Sequence, residues 1–150
     1  MTPQTYAIDP PRLSLQRIRP AWRVFLVAFA WLACLAWMRP LFLPDEGRYV
    51  GVAWEMVHSG NWLTPTLDGL PFFHKPPLFY WITALALQLF GPHEWAARSA
   101  SVLAGSATVA AVYSTVRGWL GDREAKMAAL VLATQPLFFG ASQFANLDML

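Results

Sequence analysis

Polar and apolar positions divide this chain into long uncharged blocks separated by short polar, proline-rich stretches. Residues 1–20 are polar and carry Arg12, Arg17 and Arg19, which predicts a flexible arm extending to residue 23. The first apolar run extends from Val24 to Met38 and resumes at Leu41-Phe42-Leu43, beyond Arg39-Pro40. As a helix, residues 24–43 would measure about 30 Å, enough to cross a bilayer. Arg39 is expected near the outer interface, where its side chain can reach the headgroups. No small-x-small cleavage site follows this run, so an uncleaved span fits better than a signal peptide.

After Pro44, residues Asp45 to His58 predict a short helix, with two acids in its first turn where the helix dipole favours them. Tyr49, Val50, Ala53, Trp54 and Val57 recur at helical spacing, so one face can lie on a membrane. Trp62 to Pro77 holds Pro65, Gly69, Pro71, Pro76 and Pro77 and is expected to be largely irregular. Leu78 to Phe90 is apolar, but as a helix it reaches only about 20 Å against a hydrocarbon core of about 30 Å. It therefore predicts an interfacial helix inside a loop covering residues 44–98. Residues 99–116 form a second span, rich in small residues that suit close helix packing. A turn at 117–126, a third span at 127–145 interrupted by Pro136, and the start of a second loop at 146–150 complete the pattern.

Counting crossings puts the N-terminus and residues 117–126 inside, with residues 44–98 and Asp148 outside. Arg12, Arg17, Arg19, Arg23, Arg117, Arg123 and Lys126 then face inward, as the positive-inside rule requires. The composition, 56% hydrophobic and 13% charged, excludes an ordinary water-soluble domain. The net charge of +2 is small, and its carriers sit at the ends of apolar runs, which excludes a nucleic-acid patch. Cys34 is the single cysteine, so neither an internal disulfide nor a cysteine zinc site can form. The terminal FANLDML carries no helix-stop signal, and the protein is expected to continue beyond Leu150. The fold class expected is an all-α integral membrane bundle.

Asp45 and Glu46, placed where the chain leaves the bilayer ahead of a loop rich in proline, histidine and aromatics, point to an active site at a membrane surface. Each residue also has a plainer reading. The acids can serve the helix start, Lys75 can anchor at the interface, and His58, His74, Glu55 and Asp68 can be solvated. Trp54, Trp62, Trp81 and Trp95 read as an interfacial belt.

The stretches PDEGRYVGVAWEMVHSGNWLTPTLDGLPFFHKPPLFYW, GPHEWAARSASVLAG and LATQPLFFGASQFANLDML resemble the start of bacterial glycosyltransferases that use lipid-linked sugars. These are the aminoarabinose transferases acting on lipid A, related to the protein O-mannosyltransferases of the GT-C fold class. The resemblance covers about residues 24–150. It implies a polytopic protein of the bacterial inner membrane, with a cytoplasmic N-terminus and a periplasmic catalytic loop carrying juxtamembrane helices. It further implies a polyprenyl-phosphate sugar as donor and a lipid or protein hydroxyl as acceptor. Asp45 matches the catalytic aspartate of the first loop, with Glu46 beside it, and Asp148 matches the acid after the third span. Lys75 matches the lysine associated with the lipid phosphate, and Arg48 is a second candidate for it. Many members carry an acid before that lysine, linked to a metal site in aminoarabinose transferases. His74 stands there in this chain, and it is the candidate ligand for a divalent metal ion.

The chemistry suits these groups. Breaking a sugar–phosphate bond develops negative charge on the leaving phosphate, which Lys75 or Arg48 can stabilise. A carboxylate such as Asp45 can orient or deprotonate the acceptor hydroxyl, and direct displacement inverts the anomeric centre. Two rivals remain: a non-enzymatic membrane protein such as a transporter or scaffold subunit, and a transferase using a nucleotide sugar at the cytoplasmic face.

Overall fold

The structure, a computed structural model, describes residues 15–145, with side chains from Pro20 onward. Asp148 and the first fourteen residues of the expected arm lie outside the described residues.

Helix α1 covers Leu15–Ala33 and includes Pro20. The last part of the expected arm, from Leu15, is thus helical. Proline removes one backbone donor there, and the run of apolar residues carries the helix onward. The expected span over residues 24–43 is not one helix. After Ala33 the chain tightens into i→i+3 turns, with Ala36 N–H donating to Ala33 O at 3.1 Å and Met38 N–H to Leu35 O at 3.1 Å. Pro40 disfavours helix at Arg39, and the carbonyls of Ala36, Arg39 and Pro40 are all taken by another side chain, Arg98.

Helix α2 covers Asp45–Ser59, close to its expected extent, and ends on Gly60 in the left-handed region (φ 71°). The stretch expected to be irregular contains a small hairpin, β1 (Thr66–Leu67) and β2 (Leu70–Pro71). Its two-residue loop, Asp68-Gly69, has both φ angles positive (53° and 76°), as a type I′ turn requires. Helix α3 covers Leu78–Phe90 and is followed by a single helical turn, α4 (Glu94–Ala97). Helix α5, Ser99–Trp119, is the one described helix long and apolar enough on its own to cross a membrane. Its Ser106, Thr108 and Ser114 hydroxyls bond carbonyls one turn back, which satisfies them without water. The expected third span is two helices, α6 (Asp122–Thr134) and α7 (Pro136–Ser142). Pro136 drives Gln135 to an extended conformation (ψ 125°) and then starts the next helix as its first residue.

Two cores result. One joins α2, α3, α4 and the start of α5 through Val52, Met56, Phe79, Tyr80, Ala97 and Ala100. The other packs α1, α5 and α6 around Ala28, Val109, Tyr113, Ala125, Ala129 and Ala133, where small side chains let the helices approach closely. Val27, Leu130, Val131 and Leu137 stay exposed on the outer faces of α1, α6 and α7. That much exposed apolar surface suits a lipid environment and not water.

Candidate active site

The acid pair divides at the start of α2. Pro44 holds the N-cap position and no described side chain caps the helix, so neither acid serves as an N-cap. Asp45 points outward with its side chain 63% exposed, while that of Glu46 is 0% exposed. Helical geometry turns successive side chains about 100° apart, which sends one neighbour to solvent and the other into the core.

Glu46 accepts five hydrogen bonds on its two oxygens. Arg98 Nε donates to Oε1 at 2.9 Å and Ala145 N–H to the same oxygen at 2.7 Å. Oε2 receives Arg98 Nη2 at 3.1 Å, Arg39 Nη1 at 2.8 Å and the Phe42 N–H at 2.7 Å. Burial pushes this carboxyl up, but Arg98, the Ala145 and Phe42 amides and Arg39 together hold it below the ordinary carboxylate range.

Arg98, fully buried between α4 and α5, spends all five N–H donors. Besides Glu46 they reach Ala36 O at 2.7 Å, Arg39 O at 3.0 Å and Pro40 O at 3.0 Å. Arg39 in turn donates to Gln143 O at 2.8 Å and lies over the Phe144 ring. Gln143 donates back to Leu32 O. The segment after α1, the start of α2, the start of α5 and the segment after α7 therefore meet at one point. The sequence pattern singles out no role for Arg98. An arginine immediately before a long uncharged run was the available signal, since buried arginine needs a partner.

Arg48 sits one turn beyond Asp45, with its Nη1 4.0 Å from Asp45 Oδ1 and both side chains open to solvent. Tyr49 meets Phe79 edge-on at 6.3 Å, which draws the first turn of α2 toward the start of α3. Lys75 lies in the Pro-bounded segment just before α3, exposed, with His74 stacked on Phe72 at 4.7 Å. The approach to that segment is held by Glu55. It accepts the Thr66 hydroxyl at 2.6 Å and the Asp68 and Gly69 amides, and so it is not the solvated residue the sequence suggested. The Thr66 hydroxyl above all, with the two amides, keeps its carboxyl below the usual range against slight burial.

Around His74 the described residues offer one imidazole. Among them no group of three or more His, Cys, Asp or Glu gathers to hold a metal ion. This described donor set does not fit a divalent metal.

The arrangement is that of a helical membrane protein of the GT-C class. Two structures of ArnT from Cupriavidus metallidurans, one bound to undecaprenyl phosphate and one in the apo state, superpose on it with a TM-score of 0.74. They are 36% identical to it and match 90% of this chain and 24% of theirs. The undecaprenyl phosphate-alpha-4-amino-4-deoxy-L-arabinose arabinosyl transferase of Pseudomonas savastanoi pv. phaseolicola is 35% identical over 120 residues, 76% of this chain and 22% of that protein. The transferase of the same name from Edwardsiella ictaluri is 39% identical over 111 residues, 73% of this chain and 20% of its own. The profile of the dolichyl-phosphate-mannose-protein mannosyltransferase family matches residues 74–150, and the chain belongs to that family. It spans between a fifth and a quarter of the length of these relatives.

Proposed function

We propose that this chain is part of a membrane glycosyltransferase that moves a sugar from a polyprenyl phosphate to a hydroxyl acceptor at the periplasmic face of a bacterial inner membrane. The observation that carries this reading is the split of the acid pair. An exposed Asp45 stands on a helix start whose neighbour, Glu46, is locked into the protein by five hydrogen bonds. A rigidly held, solvent-facing carboxylate at the end of an apolar bundle suits a reaction in which the donor keeps its tail in lipid.

In this reading Asp45 orients the acceptor hydroxyl and takes its proton as the hydroxyl attacks the anomeric carbon. Arg48 and Lys75 receive the departing phosphate. Asp148, three residues beyond Ala145, is the second acid, and displacement from the face opposite the phosphate inverts the anomeric centre. Glu46 does not touch substrate; its place is behind Asp45.

The topology also draws support from the buried cluster. Because Glu46 bonds both Arg98 and Ala145, the chain between residues 46 and 98 returns to the end of the bundle it left. Helix α3 then makes no net crossing and lies along the interface. Asp45 and the segment leading to Asp148 thereby share one side.

The names of the relatives favour undecaprenyl phosphate bearing aminoarabinose as donor; the acceptor in this reading is a lipid A-like glycolipid, with a protein hydroxyl as the alternative. In the full-length protein, Asp45→Asn is expected to lower transfer from a polyprenyl-phosphate sugar by about a hundredfold or more at normal expression. Transfer at the wild-type rate would leave the non-enzymatic reading standing. In a Cys34→Ser background, Leu63→Cys is expected to react with an impermeant thiol reagent added from outside. Labelling only from the cytoplasm would favour the nucleotide-sugar alternative.

A further inference from the structure

We infer that Arg98 and Glu46 are a positioning pair, which fixes the proton-accepting carboxylate of Asp45 against the segment leaving α7. This rests on the role given to Asp45 above. A fully buried ion pair is a poor way to gain stability alone, because apolar side chains of similar volume commonly do as well. What the pair supplies is geometry. Arg98 reaches five atoms on four residues: both Glu46 oxygens at 2.9 and 3.1 Å, and the carbonyls of Ala36, Arg39 and Pro40. A planar fork with five donors can do this and a lysine cannot.

The partners matter as much as the number of bonds. The three carbonyls belong to the strap that follows α1, and Glu46 belongs to α2. Glu46 also takes the Ala145 amide at 2.7 Å, which ties the exit of α7 to the same carboxylate. Asp45 is the neighbour of Glu46 in the chain, so its backbone has little freedom once Glu46 is held on both oxygens. The described residues thus hold the first acid and the approach to the second in one rigid unit. Misplacing a reacting group by about 1 Å can cost on the order of a hundredfold in rate.

The test uses the full-length protein, assayed with a polyprenyl-phosphate sugar over a range of donor concentrations. Arg98→Lys keeps the charge and loses the fork. It is expected to lower kcat by about a hundredfold while changing the donor KM by less than about threefold, since the phosphate-binding groups are untouched. A purely structural role would instead lower the unfolding temperature and leave kcat per folded molecule unchanged. Should Arg98→Lys fail to fold, Ala145→Pro removes the amide bond to Glu46 while both side chains of the ion pair remain. It is expected to cost about tenfold in kcat. Wild-type kcat in whichever variant folds, with Asp45→Asn inactive, overturns the positioning role and spares the role of Asp45. Wild-type kcat in Asp45→Asn overturns that role and this inference with it.

Discussion

Arg98 grips Glu46 across 52 residues of chain through two parallel hydrogen bonds, Nε to Oε1 at 2.9 Å and Nη2 to Oε2 at 3.1 Å. Both side chains are fully buried. This fork-on-carboxylate geometry is the strongest form the interaction takes, and here it joins α2 to the start of α5 and the strap after α1. Everything exposed on the loop, from Asp45 to Lys75, is carried by elements that this contact anchors.

Removing one partner leaves the other charged and buried. Arg98→Ala is therefore expected to destabilise the folded protein by about 3–5 kcal/mol. Glu46→Ala should cost a similar amount, and the double variant much less than the sum, with a coupling of about 2 kcal/mol. Denaturant unfolding of the detergent-solubilised full-length protein, followed by tryptophan fluorescence, checks this. Additive losses would mean that the two side chains act separately.

Acid should act on the same contact. The Glu46 carboxyl is held below its ordinary range in the folded state despite burial, so folding favours its charged form. Its contribution to stability is fully present above the unfolded carboxylate value and fades as pH falls through the lower, folded value. The unfolding midpoint is expected to drop as the medium is acidified below about pH 4.5. Glu46→Gln should start from a lower midpoint and show a flatter acid limb. An unchanged acid limb in that variant would assign the sensitivity to another carboxylate.

Much of this fold was legible in the sequence because its helices are bounded by residues with local effects. Pro44 and Gly60 frame α2, and Pro77 and Gly91 frame α3, so both helices sit almost where periodicity and punctuation put them. The membrane-type bundle followed from apolar runs for the same reason. What stayed hidden depends on contacts between distant residues. Nothing local in Arg39-Pro40 reveals that the chain stops being helical at Ala33 so that its carbonyls can face Arg98. The separate fates of Asp45 and Glu46 likewise follow from which one meets Arg98, not from either residue alone. The hairpin does have a local signal, Asp68-Gly69 between Leu67 and Leu70, but the prolines around it mask the turn.

Glu55 secures that hairpin through the Thr66 hydroxyl and the Asp68 and Gly69 amides. Glu55→Ala leaves these donors to water, since the site is half-open. The expected cost is about 1 kcal/mol of local stability, seen as roughly fivefold faster amide exchange at Asp68 and Gly69. Exchange in α5 should not change. Equal acceleration in both places would show that the substitution unfolds the protein as a whole and does not merely release the hairpin.

Tyr80 offers a test of the core beneath the site. Its hydroxyl is buried among α2 and α3 residues without a hydrogen-bond partner among the described residues, and burial, with the nearby Tyr49, pushes its pKa up to about 12. Tyr80→Phe deletes a polar atom that gains nothing from its surroundings. Stability is expected to change by less than about 1 kcal/mol, and in the favourable direction. A large loss would reveal a bound water or a further segment satisfying the hydroxyl in the full-length protein.

Arg48 and Lys75 separate binding from folding. The Asp45–Arg48 contact is long at 4.0 Å and lies between exposed side chains, so it is worth little to stability, under about 0.5 kcal/mol. Arg48→Ala should leave the unfolding midpoint where it is. If its guanidinium meets the donor phosphate, however, a charge-assisted bond worth about 2 kcal/mol is lost, and kcat/KM for the polyprenyl-phosphate sugar falls by roughly thirtyfold. Lys75→Ala should behave alike, with Lys75→Arg recovering part of the loss because the charge remains while its shape differs. Raising the ionic strength should weaken donor binding in the wild type more than in either alanine variant, since each variant has already lost one of the charges being screened. Matching salt responses in all three proteins would place the phosphate elsewhere on the loop.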